Sequence, residues 1–421
     1  MLIRMAGDPE HENHLLEGAA LKPRLRPVEV QPHPDDTENM VLLRDPSALA
    51  DEVLSMSLPA LHVLSLIDGQ RSCDQIREAF REQTGRTLPS ETLSKLLEAL
   101  EESHFLEGAA FDHFHDDLVR EYQDAPTRPM NPMQGLGLDG DDVHQGLDQM
   151  FSWQKNGQSR RPIAGLIAPH LDYPRGQPCY QEAYAALAGQ THFERFVILG
   201  TNHFGRSTSV VATTKDFETP LGISAVDVPF LEQMEQRCGQ SIRKHEIDHR
   251  REHSLELQVL LLQYLFNTCS FKIVPVICPS PCGPTGTAPL EGDGVDLKDF
   301  AEALGHLVRE DDTPTCIIAG ADLSHVGRFF GDTTDLSDEL LGNVRKRDQA
   351  ALEHVRSNEP ETFRQSVAAA DNPTRICSAG CIYALMTALP GIKPRLLKYH
   401  QAVNREAHCA VTCVAAVFEA S

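Results

Sequence analysis

Three apolar runs in this chain end in residues that can bind a metal or move a proton. IAPH places His170 after the first, ILGTNH places His203 after the second, and IIAGADLSH places Asp322 and His325 after the third. Imidazole nitrogens and carboxylate oxygens are ligands for iron, zinc or copper, and imidazole also titrates near neutrality, so the set suits metal binding or acid–base work. In open α/β sheets ligands bind outside the carboxyl ends of strands, which lets distant parts of a chain share one crevice. A shared site for these segments is therefore expected. A fourth histidine, His253, lies in DHRREHSLELQVLLLQYLF, ahead of a helix whose apolar face includes Leu257, Leu260, Leu261 and Tyr264. With Ser254 as its cap, Glu252, His253 and Glu256 would gather round the first turn, where the helix dipole favours carboxylates or an anionic ligand.

The elements that must position these residues follow from the spacing of apolar runs. PIAGLIAPH, FVILGTNH, SVVAT, FKIVPVIC, CIIAGADLSH, RLLKYH and CAVTCVAAVF are separated by segments of helical character. Continuous apolar strands alternating with helices imply an α/β sheet covered on both faces.

At 421 residues the chain suits two or three domains. Hydrophobic residues are 41% and charged residues 24%, the range of soluble globular proteins. The formal net charge of −23 argues against a general nucleic-acid partner, because phosphate binding needs a basic surface. No run of 18 apolar residues occurs and the start, MLIRMAGDPEHENH, lacks a signal-peptide core, so a cytoplasmic protein without membrane attachment is expected. The 11 cysteines form no repeating framework. Cys278, Cys316 and Cys413 sit in apolar runs, and the pairs Cys377 with Cys381 and Cys409 with Cys413 are spaced four apart rather than as zinc-binding CxxC, so reduced core thiols are the expectation.

Ahead of the α/β region the organisation differs. Residues 1–39 are polar and proline-bearing and read as a flexible lead-in. In residues 40–108, Leu58, Leu61, Leu64 and Ile67 recur at helical spacing before an Asp68-Gly69 turn. Ser72 with Gln75 forms a capping-box pattern for a second helix that closes at Gly85. A third helix from Ser90 to Glu102 presents Leu93, Leu96, Leu97 and Leu100, and Phe105-Leu106 reads as the start of a wing strand. Residues 109–160, centred on PTRPMNPMQGLGLDGDD, read as a linker, and 161–421 as the metal-site domain.

The run LPALHVLSLIDGQRSCDQI with LLEALEESHFL resembles the small PqqD-like winged-helix modules, which recognise peptides. Its third helix, SETLSKLLEALEES, carries more acids than bases, so it would repel phosphate. The later motifs IAPHLDYPRG, FVILGTNHFG, FETPLG, EHSLELQV, FKIVPVIC, ADLSHVG, ICSAGCIYAL and LLKYHQAVN stand in the order found in Memo-family proteins. The chain is therefore similar to that family, which includes AmmeMemoRadiSam system protein B, over about residues 162–419. The resemblance implies a fold like that of the class III extradiol dioxygenases, a central mixed sheet flanked by helices, in which strand-end histidines bind divalent iron. It implies that His170 and His203 are metal ligands, that Asp322 and His325 line the pocket, and that His253 belongs to the EHS motif. The resemblance places a further cysteine ligand just past the tyrosine of the LLKY-like strand. Here Tyr399 is followed by His400-Gln401-Ala402-Val403-Asn404-Arg405, with Cys409 four residues further, so His400 is the candidate third ligand.

The expectation is thus a site in which His170, His203 and His400 hold a divalent metal, iron(II) first with zinc or copper as alternatives. His325, His253 and Asp322 would handle protons. The function expected is metal-dependent redox chemistry on a small molecule or peptide, possible partners being the components of a radical-enzyme system. The alternatives are a non-catalytic metal-binding or partner-recognition protein and a zinc hydrolase.

Overall fold

The computed structural model describes residues 22–33, 39–131, 143–151, 161–190, 192–266 and 271–420. Most of the expected lead-in, and residues 132–142 at the centre of the expected linker, lie outside the described residues. The chain divides into two units, Met1–Asp124 and Ala125–Ser421.

In the first unit β1 (Glu29–Pro32), β2 (Met40–Arg44) and β3 (Leu54–Ser57) form an antiparallel sheet in that order, followed by α1 (Leu58–Leu64), α2 (Cys73–Thr84), α3 (Ser90–Glu102) and α4 (Ala109–Asp124). Ser72 and Gln75 make the reciprocal capping box, and Gly85 closes α2 in the left-handed conformation at φ 68°. Leu43, Ile76, Leu97, Leu100 and Phe105 are buried in one core. The unit departs from expectation in three places. Its sheet precedes the helices, and Leu106 contributes only an isolated bridge to Leu25 rather than a wing strand. Part of the expected lead-in is ordered: β1 is a strand, and Arg24 bridges Asp68. Residues 109–124, expected as linker, are α4, which buries Phe111, Leu118 and Tyr122 at helical spacing that the surrounding Asp and His residues obscured.

The second unit begins with β4 (Thr127–Pro129) and α5 (Val143–Met150). It continues through β5 (Ile163–Ala168), α6 (Tyr173–Leu187), β6 (Arg195–Thr201), β7 (Val211–Ala212), β8 (Asp216–Thr219), β9 (Gly222–Ser224), α7 (Val228–Cys238), α8 (Glu256–Phe266), β10 (Lys272–Cys278) and α9 (Leu297–Glu310). The remainder is β11 (Thr315–Gly320), β12 (Asp322–Val326), α10 (Asp338–Ser357), α11 (Pro360–Ala368), α12 (Ala379–Ala388), β13 (Arg395–Asn404) and β14 (Cys409–Glu419).

The main sheet is mixed and runs β12-β14-β5-β11-β6-β10-β7, with β13 on the other edge of β14. Its centre, β5-β11-β6-β10, is parallel, and β14 and β7 flank it antiparallel. Strands buried on both faces must be largely apolar, and β6 from Phe196 to Gly200 and the last six residues of β10 are. Helix α6 packs on β5, β13 and β14, and α12 packs on β6, β10 and β11. The register brings carboxyl ends level. Gly320 stands opposite Ala168, and Ala319 opposite Leu199 two residues before β6 ends. The segments that follow β5, β6 and β11 therefore emerge at one edge.

Candidate metal centre

His170 follows β5 by two residues and is almost completely buried. Its Nδ1 lies 2.9 Å from the Gly320 carbonyl, an acceptor, so Nδ1 carries the proton and Nε2 keeps its lone pair. Burial holds the ring's pKa well below the usual histidine value, with the neighbouring His203 and His253 adding to the effect. The ring is therefore neutral, the form that binds metal.

His203 follows β6 by two residues and is oriented by Glu252. The Glu252 carboxylate accepts from the His203 backbone N at 2.9 Å and faces its Nδ1 at 3.0 and 3.1 Å. It also accepts from the Ser254 backbone N at 2.8 Å. Burial works against charge on both groups, but the mutual attraction prevails: Glu252 is held well below the carboxylate range and His203 well above the usual histidine value. With Nδ1 taken by Glu252, Nε2 is the ring atom left to bind an ion. A carboxylate behind the outer ring nitrogen is the arrangement that orients metal-binding histidines and raises their basicity.

His253 comes from the loop before α8. Its side chain is 40% exposed, and its Nδ1 lies 3.7 Å from Glu252 Oε1. The ring centroids of His170, His203 and His253 are 4.9 to 5.6 Å apart, and the ligand atoms of the three all lie within 4.8 Å of one another. Three nitrogens sharing a tetrahedral ion at about 2.1 Å stand about 3.4 Å apart, so from separations of up to 4.8 Å the triad would close onto an ion by small movements of its side chains. Among the described residues this is the group of three or more His, Cys, Asp or Glu side chains able to hold a metal.

Glycines let the His253 loop sit against the sheet. A Cβ at Gly200 would stand 2.4 Å from Ser254 Oγ, and one at Gly320 would stand 2.8 Å from the Ser254 carbonyl. Ser254 is not the cap expected for α8. Its hydroxyl accepts from the Thr201 backbone N at 3.0 Å and so ties the loop to the end of β6.

Asp322 begins β12 rather than lying in a strand-end loop. Its Oδ1 accepts from the His170 backbone N at 3.3 Å, and its Oδ2 stands 3.6 Å from His170 Nε2. Burial pushes its pKa up to about 7. His325 lies in the same strand, three residues on, but Asp322 does not orient it. Its Nδ1 faces the Leu323 carbonyl at 3.0 Å and its ring packs edge-on to Phe330. Burial brings its pKa down to about 4.

His400 is not brought to the triad. It stands in the middle of β13 opposite Cys413 and lines an open groove with Pro174, Arg175, Gln177 and Leu341. The thiol that does border the triad is Cys377, whose Sγ lies 3.6 Å from His170 Nε2 and 3.2 Å from Ser378 Oγ. Burial raises its pKa, with His203 opposing. Sequence reasoning grouped Cys377 with the core thiols. The one signal in its favour was its place immediately ahead of an apolar helix, in ICSAGC.

A sequence profile described as Memo-like protein matches residues 139–417. The chain is 26% identical over 313 residues to a MEMO1 family protein of Aquifex aeolicus, covering 74% of this chain and 78% of that one. It is 28% identical over 334 residues to a MEMO1 family protein of Thermus thermophilus, covering 78% and 93%. It is 28% identical over 247 residues to a MEMO1 family protein of Nitrosopumilus maritimus, covering 58% and 78%.

Proposed function

The chain belongs to the Memo family, and from that premise we propose that it is a metalloprotein in which His170, His203 and His253 hold one divalent ion, iron(II), for redox chemistry on a small molecule or peptide. The observation that carries the reading is the orientation of the rings. The Nδ1 atoms of His170 and His203 are each engaged by an acceptor at 2.9 to 3.1 Å, which leaves Nε2 of each as the atom to bind an ion, once His203 gives up its proton, in a group whose ligand atoms all lie within 4.8 Å of one another. A bound iron(II) would supply an open coordination position at which a substrate is polarised or oxidised.

The chain's own groups complete the reading. Asp322, facing the Nε2 edge of His170, takes or returns a proton, and His325 on the same strand is a second candidate for that task. Cys377 gives the site a soft donor beside two imidazoles, a set that also accommodates zinc or copper. Within the first unit, an apolar cleft of about 350 Å³ lined by β3, α1 and α3, with Leu54, Met56, Val63 and Leu96 on its walls, supports a peptide-presenting role for the PqqD-like region.

Elemental analysis of anaerobically purified protein tests the proposal. Iron near one equivalent per chain, lost in His170→Ala, His203→Ala and His253→Ala, is the expected result. Zinc in place of iron would shift the reading to hydrolysis by metal-bound water, and no retained metal in the parent would overturn it.

A further inference from the structure

We infer that Arg128 is a positioning residue for this centre: it binds the Glu252–His253 loop from behind and thereby fixes the carboxylate that orients His203. The inference rests on the metal-site reading above. Arg128 precedes the family-matched stretch, in a segment whose composition reads as linker. It is nonetheless among the most deeply buried large side chains of the protein.

Its guanidinium uses all three nitrogens. Nε donates to the His249 carbonyl at 2.6 Å, Nη2 donates to the Glu252 carbonyl, and Nη1 donates to Glu256 Oε2 at 2.7 Å. The Phe217 ring lies 4.7 Å beneath it. His249 and Glu252 bracket the turn that delivers the Glu252 carboxylate to His203, and Glu256 opens α8 just beyond His253. One planar fork thus ties three points around His253. That loop forms neither helix nor strand between Arg250 and Leu255; the carbonyls of His253 and Leu255 are taken by backbone N–H groups of α8, and the Glu252 carbonyl is taken by Arg128. Arginine suits the task because its donors are set in a rigid plane, which the single ammonium of lysine cannot reproduce.

The segment is built to deliver this side chain. Strand β4 pairs parallel with β8, Arg128 opposite Phe217, and its alternation buries Arg128 while Pro129 faces solvent. Asn131 adds its backbone N and its Nδ2 to the Glu256 carboxylate. Pairing with Glu256 alone would make Arg128 a buried counter-ion. The two bonds to loop carbonyls are what a counter-ion does not need.

The discriminating variant is Arg128→Met combined with Glu256→Gln, which removes the ion pair without stranding a buried charge. Two quantities are read on the full chain: cobalt(II) affinity with its visible spectrum, and, in metal-free protein, the ring resonances of 13C-labelled histidines. The double variant should keep the parent's melting temperature within a few degrees, bind cobalt(II) at least tenfold more weakly with altered bands, and shift the His203 and His253 resonances while that of His306, in α9, stays put. Parent-like affinity and parent-like His203 and His253 resonances would overturn the inference and leave Arg128 a counter-ion. If the parent binds no cobalt(II), the metal reading falls and the ring resonances alone decide the role of Arg128. Should the double variant fail to fold, Arg128→Lys decides: affinity between parent and tenfold weaker supports the fork, and parent-like affinity contradicts it.

Discussion

The parallel centre of the sheet and its antiparallel margin hold the same residue types and use them differently. Past β5 and β6 the backbone leaves the ladder, so His170 and His203 turn into a common space. In β12 and β13 the backbone stays paired with β14, and each side chain goes where that pairing sends it, with a register shift between Asp322 and His325. Asp322 faces His170, Ser324 donates to buried Asp348 at 2.6 Å, His325 meets Phe330, and His400 meets a groove on the far edge. A histidine near a strand end is thus informative about a shared site when the strand has stopped, and much less so when it continues.

That contrast can be broken by substitution. His170→Ala or His203→Ala at the centre should weaken metal binding by more than about a hundredfold, since each removes a ligand on a rigid strand end. Equilibrium titration with a chromophoric competitor reads the loss, and a change under tenfold would mean that the ions bind elsewhere. Glu252→Gln removes no ligand but exchanges a charged acceptor for a neutral amide behind His203, and should cost about 10- to 100-fold in affinity by the same titration. On the margin, His325→Ala should leave metal content within twofold of the parent while lowering any turnover about a hundredfold, and stripping of the metal would make His325 a ligand.

Asp348 sharpens the account of the margin through stability. It is buried, accepts from Ser324, Tyr399 and Thr412, and burial raises its pKa above 3.8. The folded state therefore holds this proton more tightly than the unfolded chain. Its contribution to stability is fully present below about 3.8 and is lost as pH rises through the raised native value. The urea-derived stability of the parent minus that of Asp348→Asn should grow as pH falls from 7 toward 4, and a flat difference would contradict the assignment. His400→Ala carries the smallest expected effect, metal content and turnover both within about twofold, and a loss comparable to that of His203→Ala would restore it to the site.

Much of this was legible because buried strands have an apolar signature that does not depend on distant contacts. The apolar runs ending before His170 and His203 appear as β5 and β6, and EHSLELQV runs into α8, which begins at Glu256. What the sequence hid depends on through-space geometry. Nothing in ICSAGC shows that Cys377 comes within 3.6 Å of a ring 207 residues away. Likewise TRPMNP has the composition of a linker, and only the fold reveals a short strand feeding the buried Arg128 into the EHS loop. His400 falls outside the site for a related reason: the strand does not end at Tyr399, and β13 continues to Asn404.

The central claim is that His253, together with His170 and His203, binds the ion. X-ray absorption at the metal edge of anaerobically iron-loaded protein, parent against His253→Ala, tests it most directly. Imidazole scattering is expected from three rings at about 2.0 to 2.2 Å in the parent and from two in the variant. Identical spectra for the two proteins would contradict it.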